Sequence, residues 1–250
     1  MNLNGCNILI TGASSGIGKA IAKRCHASGA FVHLAGRDEG ALLALSDDLG
    51  NERTSVNIMD MRVIESFLPL IDNIVNNFGK INGFVHSAGY QITAPIQLMD
   101  INQYQDIHLV NVFSAFEICR ILSMRKYHFS SSLSIVLLSS VMSIVANPGL
   151  VAYCSTKAAL VGGARAMAIE LAPKGIRVNC ISPGTIIDTK MTGELKLQLA
   201  GDEFDKIQQR FPLGLGNTND VTALALYLLS DSSRWLTGQN IILDGGYSAV

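Results

Sequence analysis

Charge is scarce in this sequence. Only 16% of its 250 residues are Asp, Glu, Lys or Arg, and 19 basic residues against 20 acidic ones leave a net charge of −1. No basic run stands out, so neither nucleic acid nor an anionic membrane surface is an expected partner. The five cysteines, at positions 6, 25, 119, 154 and 180, are odd in number and scattered without paired spacing. That pattern suits free thiols in a reducing compartment rather than a disulfide framework. The five histidines, at 26, 33, 86, 108 and 128, show no metal-ligand spacing, and no metal site is expected. The opening residues MNLNGCNILITG lack the basic-then-apolar pattern of a secretory signal. No stretch reaches the ~18 consecutive apolar residues of a membrane span. The nearest, SIVLLSSVMSIVANPG, is broken by serines and by Asn147-Pro148-Gly149. These absences point to a protein of the cytoplasm.

Apolar residues, by contrast, make up 48% of the chain, so much of it is expected to be buried. Short β-branched runs at 7–11, 31–35, 54–58, 83–87, 134–139, 176–181 and 240–244 read as strands. Helical patterns fall between them, at 16–28, 39–49, 62–78, 100–127, 153–172 and 219–230. Strands that alternate with helices imply right-handed crossovers and a parallel sheet. The strands are continuously apolar, as expected where helices cover both faces. No linker or repeat divides the chain, which predicts one doubly wound α/β domain spanning 1–250. The more polar stretch 185–215 breaks the rhythm just after a strand. Ligands of open α/β sheets bind beyond the carboxyl ends of strands, so this stretch is expected to be a substrate lid with two short helical pieces.

Two local patterns carry chemistry. TGASSGIG, residues 11–18, joins the first strand to the first helix. Gly12 lets the chain turn sharply, Gly16 admits a ligand close to the backbone, and Gly18 lets helix and sheet pack tightly. The helix then offers unpaired N–H groups to a pyrophosphate. YCSTKAAL, residues 153–160, sets Tyr153 and Lys157 four residues apart, on one helix face. A phenol ordinarily titrates near ~10, and a neighbouring ammonium favours its ionised form, which makes the pair an acid/base device.

The glycine spacing, xxx then x, together with the rest of the chain, resembles the classical short-chain dehydrogenase/reductase family. GFVHSAG at 83–89 is similar to that family's Asn-Asn-Ala-Gly strand end, with His86-Ser87 in place of the two asparagines. Asn111 in LVNVFSAF, Ser140 thirteen residues before Tyr153, RVNCISPG and WLTGQNIILDGG resemble its remaining motifs. The resemblance implies a Rossmann-type sheet of about seven strands and a catalytic set of Asn111, Ser140, Tyr153 and Lys157. Tyr153 would exchange a proton with the substrate oxygen and Ser140 would donate to the same oxygen. Lys157 would lower the phenol pKa and hold the nicotinamide ribose, and Asn111 would hold a water leading from Lys157 to solvent. His86 is read as a buried neutral ring. The implied cofactor contacts run from Gly12, Ser14, Ser15, Gly16, Ile17 and Gly18 through Arg37, Asp60, Met61, Ser87, Ala88 and Gly89. They continue to Tyr153, Lys157, Pro183, Gly184, Ile187 and Thr189. Asp60 would meet the adenine amino group. PGTIIDT carries one residue more than the commonest family spacing, and the backbone contact to the carboxamide is assigned to Ile187.

LAGRDEG places Gly36 and Arg37, and no carboxylate, at the end of the second strand. A ribose 2′-hydroxyl calls for an acid there, whereas a guanidinium clasps a 2′-phosphate, so NADP(H) is expected over NAD(H). The alternative is that Arg37 pairs locally with Asp38 or Glu39. Among family members the chain looks most like 3-oxoacyl-(acyl-carrier-protein) reductases. An acidic carrier protein needs basic residues near the cleft, for which Arg125, Lys126 and Lys174 are the candidates. Serines at 130–132 stand where such reductases often carry arginine, so another small ketone, a steroid or a sugar-derived ketone remains an alternative substrate. A non-catalytic nucleotide sensor would be expected to lack Tyr153, Lys157 or Ser140. The helix 156–172 is nearly apolar all round after its first turn, with Ala158, Ala159, Gly162, Gly163, Ala164 and Ala166 allowing close approach. A homo-oligomer is therefore expected, with a two-fold contact through this helix, and by resemblance a tetramer built as a dimer of dimers.

Overall fold

The computed structural model of the chain describes residues 1–129, 133–198 and 203–249. Serines 130–132 and the part of the lid at 199–202 lie outside the described residues. Seven strands form one wholly parallel sheet: β1 (Asn7–Thr11), β2 (Phe31–Gly36), β3 (Thr54–Ile58), β4 (Gly83–His86), β5 (Leu133–Leu138), β6 (Ile176–Pro183) and β7 (Asn240–Leu243). Their order is β3-β2-β1-β4-β5-β6-β7. The direction of winding reverses between β1 and β4, and that switch point opens a crevice at the strands' carboxyl ends.

Strand residues alternate between two cores. Ile8 and Ile10, Val32 and Leu34, Val85 and Val136 enter one apolar layer with helices α1 (Gly16–Ala27), α2 (Glu39–Leu49) and α9 (Thr218–Leu229). Leu9, Phe84, Ile135 and Val178 enter the other, with α3 (Phe67–Phe78), α5 (Ser114–Leu122) and α6 (Val151–Leu171). Both faces are covered, which is why the strands read as unbroken apolar runs.

Two expected helices differ in form. The one expected over 62–78 begins as a 3-10 turn at Ile64–Ser66 before α3, whose first turn accommodates Pro69. The one expected over 100–127 is split into α4 (Ile101–His108), a π-helical turn over Leu109–Phe113, and α5. Asp100 and Gln103 start α4 with reciprocal side-chain caps. The extra residue of the π-turn falls where Asn111 leaves the helix's regular pattern, a frequent mark of a functional position. The stretch expected to be a lid holds α7 (Lys190–Gln198) and α8 (Glu203–Gln209) after β6. Among the described residues no helix is long and apolar enough to cross a membrane.

Candidate active site

The end of β5 and the start of α6 bring together three of the four residues expected to be catalytic, Ser140, Tyr153 and Lys157. Ser140 follows β5 by two residues; its oxygen accepts the Met142 amide at 3.2 Å, and its hydroxyl is hydrogen-bonded to Tyr153. The turn Asn147–Gly149, with Gly149 at φ +80°, sends the chain into α6 at Val151, two residues before Tyr153. Tyr153 and Lys157 therefore sit in the first two turns of α6, both buried. Ser139 fastens this corner, donating its hydroxyl to the Lys157 carbonyl at 2.8 Å. The Lys157 ammonium lies 5.5 Å from the centroid of the Tyr153 ring and donates to the Leu138 carbonyl at 2.8 Å.

The electrostatics differ from the expectation that Lys157 lowers the phenol. Burial pushes Tyr153 up to about 12, with only the Ser140 hydroxyl pulling it down. Burial also brings Lys157 down to about 8. The physical reason is that both side chains have left water, which disfavours the charged form of each. His86, at the end of β4, lies 3.0 Å from the Thr11 hydroxyl through Nδ1. Burial, then the charge of Lys157, pushes it down to about 3, so the ring is neutral.

Asn111 is fully buried and engaged in three directions. Its Oδ1 accepts the Tyr90 amide at 3.0 Å, and its Nδ2 donates to the Tyr90 carbonyl at 2.9 Å and to the Thr156 hydroxyl at 3.2 Å. Its side chain thus clasps the segment after β4, whatever water it also holds. Thr156 passes the connection on by donating to the Tyr153 carbonyl at 2.8 Å.

The glycine turn fits a dinucleotide. A Cβ on Gly12 would lie 2.7 Å from the Ala88 amide, and one on Gly18 would lie 2.3 Å from the Gly12 carbonyl oxygen. Those two glycines hold β1, α1 and the Ser87-Ala88 segment in contact. Gly16, at φ +52°, brings the loop against Thr189, whose side chain would lie 3.7 Å from an added Cβ. Ser15 starts α1 without a side-chain cap, and the first turn has no acid, so its N–H groups remain open to a pyrophosphate. Ile17 packs against the core below. At the end of β2, Gly36 faces Ser14, whose Oγ would be 3.6 Å from an added Cβ. Arg37 is exposed, and no ion pair engages it among the described residues. Asp38 instead caps α2, accepting the Ala41 amide at 3.0 Å. Asp60 is half-exposed after β3, whereas Met61 is buried in the core and offers only its backbone. Gly89 lies beside Asn111 and Lys157; a Cβ there would be 3.0 Å from Asn111 Oδ1 and 3.7 Å from Lys157 Nζ.

A family model described as enoyl-(acyl carrier protein) reductase matches residues 12–248. The chain belongs to the classical short-chain dehydrogenase/reductase family. It is 34% identical over 244 residues to the 3-oxoacyl-(acyl-carrier-protein) reductase FabG of Haemophilus influenzae, covering 95% of this chain and 96% of that one. It is 33% identical over 253 residues to carbonyl reductase (NADPH) 2 of Sus scrofa, covering 100% and 99%. A solved short-chain glucose/ribitol dehydrogenase from Brucella melitensis superposes with a TM-score of 0.91 at 31% identity, covering 99% of each chain.

As a short-chain dehydrogenase/reductase the protein is an oxidoreductase that interconverts carbonyl and alcohol groups with a nicotinamide cofactor. Some expected contacts need correction. The Ile187 amide is already used, donating to the Gly216 carbonyl at 2.8 Å in a parallel bridge between Ile186 and Gly216. The Ile186 amide has no backbone partner among the described residues. Pro183 ends β6, and Gly184 packs against Phe211, 2.9 Å from an added Cβ. Thr189 is fixed under the lid, its hydroxyl donating to the Ile186 carbonyl at 3.0 Å. The basic candidates are also misplaced. Arg125 and Lys126 follow α5 and precede β5, and Lys174 reaches back to the Ser123 carbonyl at 3.3 Å. They lie at the amino ends of the strands, opposite the cleft, and Lys126 is paired with Asp72.

Proposed function

We propose that the enzyme reduces a ketone to a secondary alcohol with NADPH, working as one domain over 1–250. The observation that carries the cofactor assignment is Arg37, unpaired beside Gly36 and Ser14 with no carboxylate at that strand end. A bound nicotinamide supplies the hydride. Tyr153, whose pKa near 12 keeps it protonated at neutral pH, donates the proton to the substrate oxygen. Ser140 donates a second hydrogen bond that fixes that oxygen and stabilises the charge growing on it. Lys157 would hold the nicotinamide ribose through its ammonium, which stays largely protonated at neutral pH.

The resemblance to FabG-type enzymes supports a 3-oxoacyl thioester as substrate. The location of Arg125, Lys126 and Lys174 removes the reason given for docking an acyl-carrier protein. A second reading, a small apolar ketone, is favoured by the apolar cluster of Val141, Met142, Phe211 and Tyr247 beside Ser140. NADPH consumption with acetoacetyl-coenzyme A, acetoacetyl carrier protein and a panel of simple ketones separates the readings. Turnover of the carrier-bound substrate alone supports the first, and turnover of simple ketones alone supports the second. Free thiols at Cys6, Cys25, Cys119, Cys154 and Cys180 support a reducing compartment, the cytoplasm.

A two-fold contact through α6 is part of the proposal. Gly163 is closed off by Phe116, and Ala164 is buried within the chain. Ala158, Gly162 and Ala166 remain uncovered, with Ile169 80% exposed. That face supports a second copy of the chain, in a dimer that pairs again as a tetramer.

A further inference from the structure

Between the adenine end of the cleft and the catalytic asparagine runs a line of polar contacts that the chemistry above does not use. Arg62 donates its backbone amide to Asp60 Oδ1 at 2.9 Å. Its guanidinium forms a two-pronged pair with Asp106 of α4, at 2.7 Å from Nε and 2.8 Å from the terminal nitrogen. The same carboxylate accepts the Tyr90 hydroxyl, and the guanidinium lies 5.8 Å from the centroid of the Tyr90 ring. The backbone of Tyr90 is in turn clasped on both sides by the Asn111 side chain.

We propose that Arg62, Asp106 and Tyr90 form a strut that carries occupancy of the adenine site to Asn111, with Asp106 and Tyr90 as positioning residues. The inference rests on the reading above of Asp60 as the adenine contact and Asn111 as a member of the catalytic set. Stability alone does not account for the strut. The side chains of Arg62 and Asp106 are 35% and 37% exposed, and an ion pair so placed contributes little to folding. What the forked geometry does supply is direction, because a guanidinium and a carboxylate in two parallel bonds fix each other's plane. Arg37, at the proposed 2′-phosphate site, also acts on the Asp106 charge. The strut's near end thus meets two groups that a nucleotide would touch. At its far end, a shift of Tyr90 moves Gly89, which already lies against Asn111 and Lys157. The links join segments 44 residues apart by Arg62 to Asp106, 16 by Tyr90 to Asp106 and 21 by Tyr90 to Asn111. They tie β3, α4, the segment after β4 and the π-turn into one unit.

The test uses adenosine 2′,5′-bisphosphate, with adenosine diphosphate alongside, because both occupy the adenine end and neither reaches Asn111. Hydrogen exchange of the Tyr90 amide is followed by mass spectrometry in the full-length parent, Asp106→Asn and Tyr90→Phe. Each protein is saturated according to its own calorimetric titration. The parent should slow exchange at Tyr90 by roughly fivefold or more on binding either nucleotide. Both variants should bind the nucleotide and lose that slowing. Tyr90→Phe removes a single hydroxyl, so it decides the matter even if Asp106→Asn folds poorly. Equal slowing in Tyr90→Phe and parent overturns the strut, as does a parent that binds the nucleotide without slowing. A parent that binds neither nucleotide overturns the nucleotide reading itself, and the strut with it.

Discussion

Lys157 keeps an ammonium where little water reaches it. The residue is 6% exposed, its nitrogen donates to the Leu138 carbonyl at 2.8 Å, and burial lowers its pKa from 10.5 to about 8. The folded state therefore holds this proton less tightly than the unfolded chain does. Stability is lost as pH falls toward the folded value and recovers as pH rises through the window between 8 and 10.5. At pH 7 a shift of this size costs about 3 kcal/mol, and at pH 10 about 1 kcal/mol. Lys157→Met keeps the aliphatic stem and removes the titrating group. The substitution also leaves the Leu138 carbonyl without its donor, but that loss does not vary with pH. The neighbouring Cys180 thiol, pushed up to about 12, stays neutral over the same range. Urea unfolding of parent and variant at pH 7, 8.5 and 10 then isolates the lysine. The difference in unfolding free energy should move in the parent's favour by roughly 2–3 kcal/mol between pH 7 and 10. A difference that does not change with pH would show that Lys157 titrates alike in both states, and the buried-ammonium account would be wrong.

Arg37→Ala should weaken NADPH binding by roughly tenfold or more while leaving NADH binding unchanged, as read by fluorescence titration. Equal losses for both nucleotides would refute the 2′-phosphate role. Gly18→Ala forces a methyl group to 2.3 Å from the Gly12 carbonyl oxygen and should destabilise the fold by roughly 1–3 kcal/mol; an unchanged thermal midpoint would contradict the packing described. Sedimentation equilibrium at micromolar concentration should show an oligomer, and a folded, fully active monomer would refute the α6 contact.

Local signals carried far in this chain. The glycine turn, the Tyr153–Lys157 spacing and the alternation of strands with helices each depend on residues within a turn or two of each other. The seven strands consequently fall where β-branched runs predict them. The break in the helix expected over 100–127 was hidden because apolar periodicity continues through the π-turn. Asn111 within an apolar run was the only trace of it. Thr156, Tyr90, Asp106 and Arg62 escaped because their partners are set by the fold, up to 45 residues away. Which of the Ile186 and Ile187 amides is engaged depends on a single residue of register across the bridge to Gly216. Arg125 and Lys126 sit where chain order puts them, between α5 and β5. In a parallel sheet, residues that precede a strand lie at its amino end, away from the crevice.

In the proposed mechanism the Tyr153 phenol delivers the proton when a carbonyl is reduced. Tyr153→Phe keeps the ring and its packing and removes only the donor. For any substrate that the parent turns over, single-turnover NADPH oxidation by the variant should fall by roughly 10²–10⁴-fold. NADPH affinity, measured by fluorescence on the same preparations, should stay within about twofold of the parent's, because the hydroxyl alone is lost. A Tyr153→Phe enzyme that binds NADPH and oxidises it at a rate close to the parent's would contradict the claim.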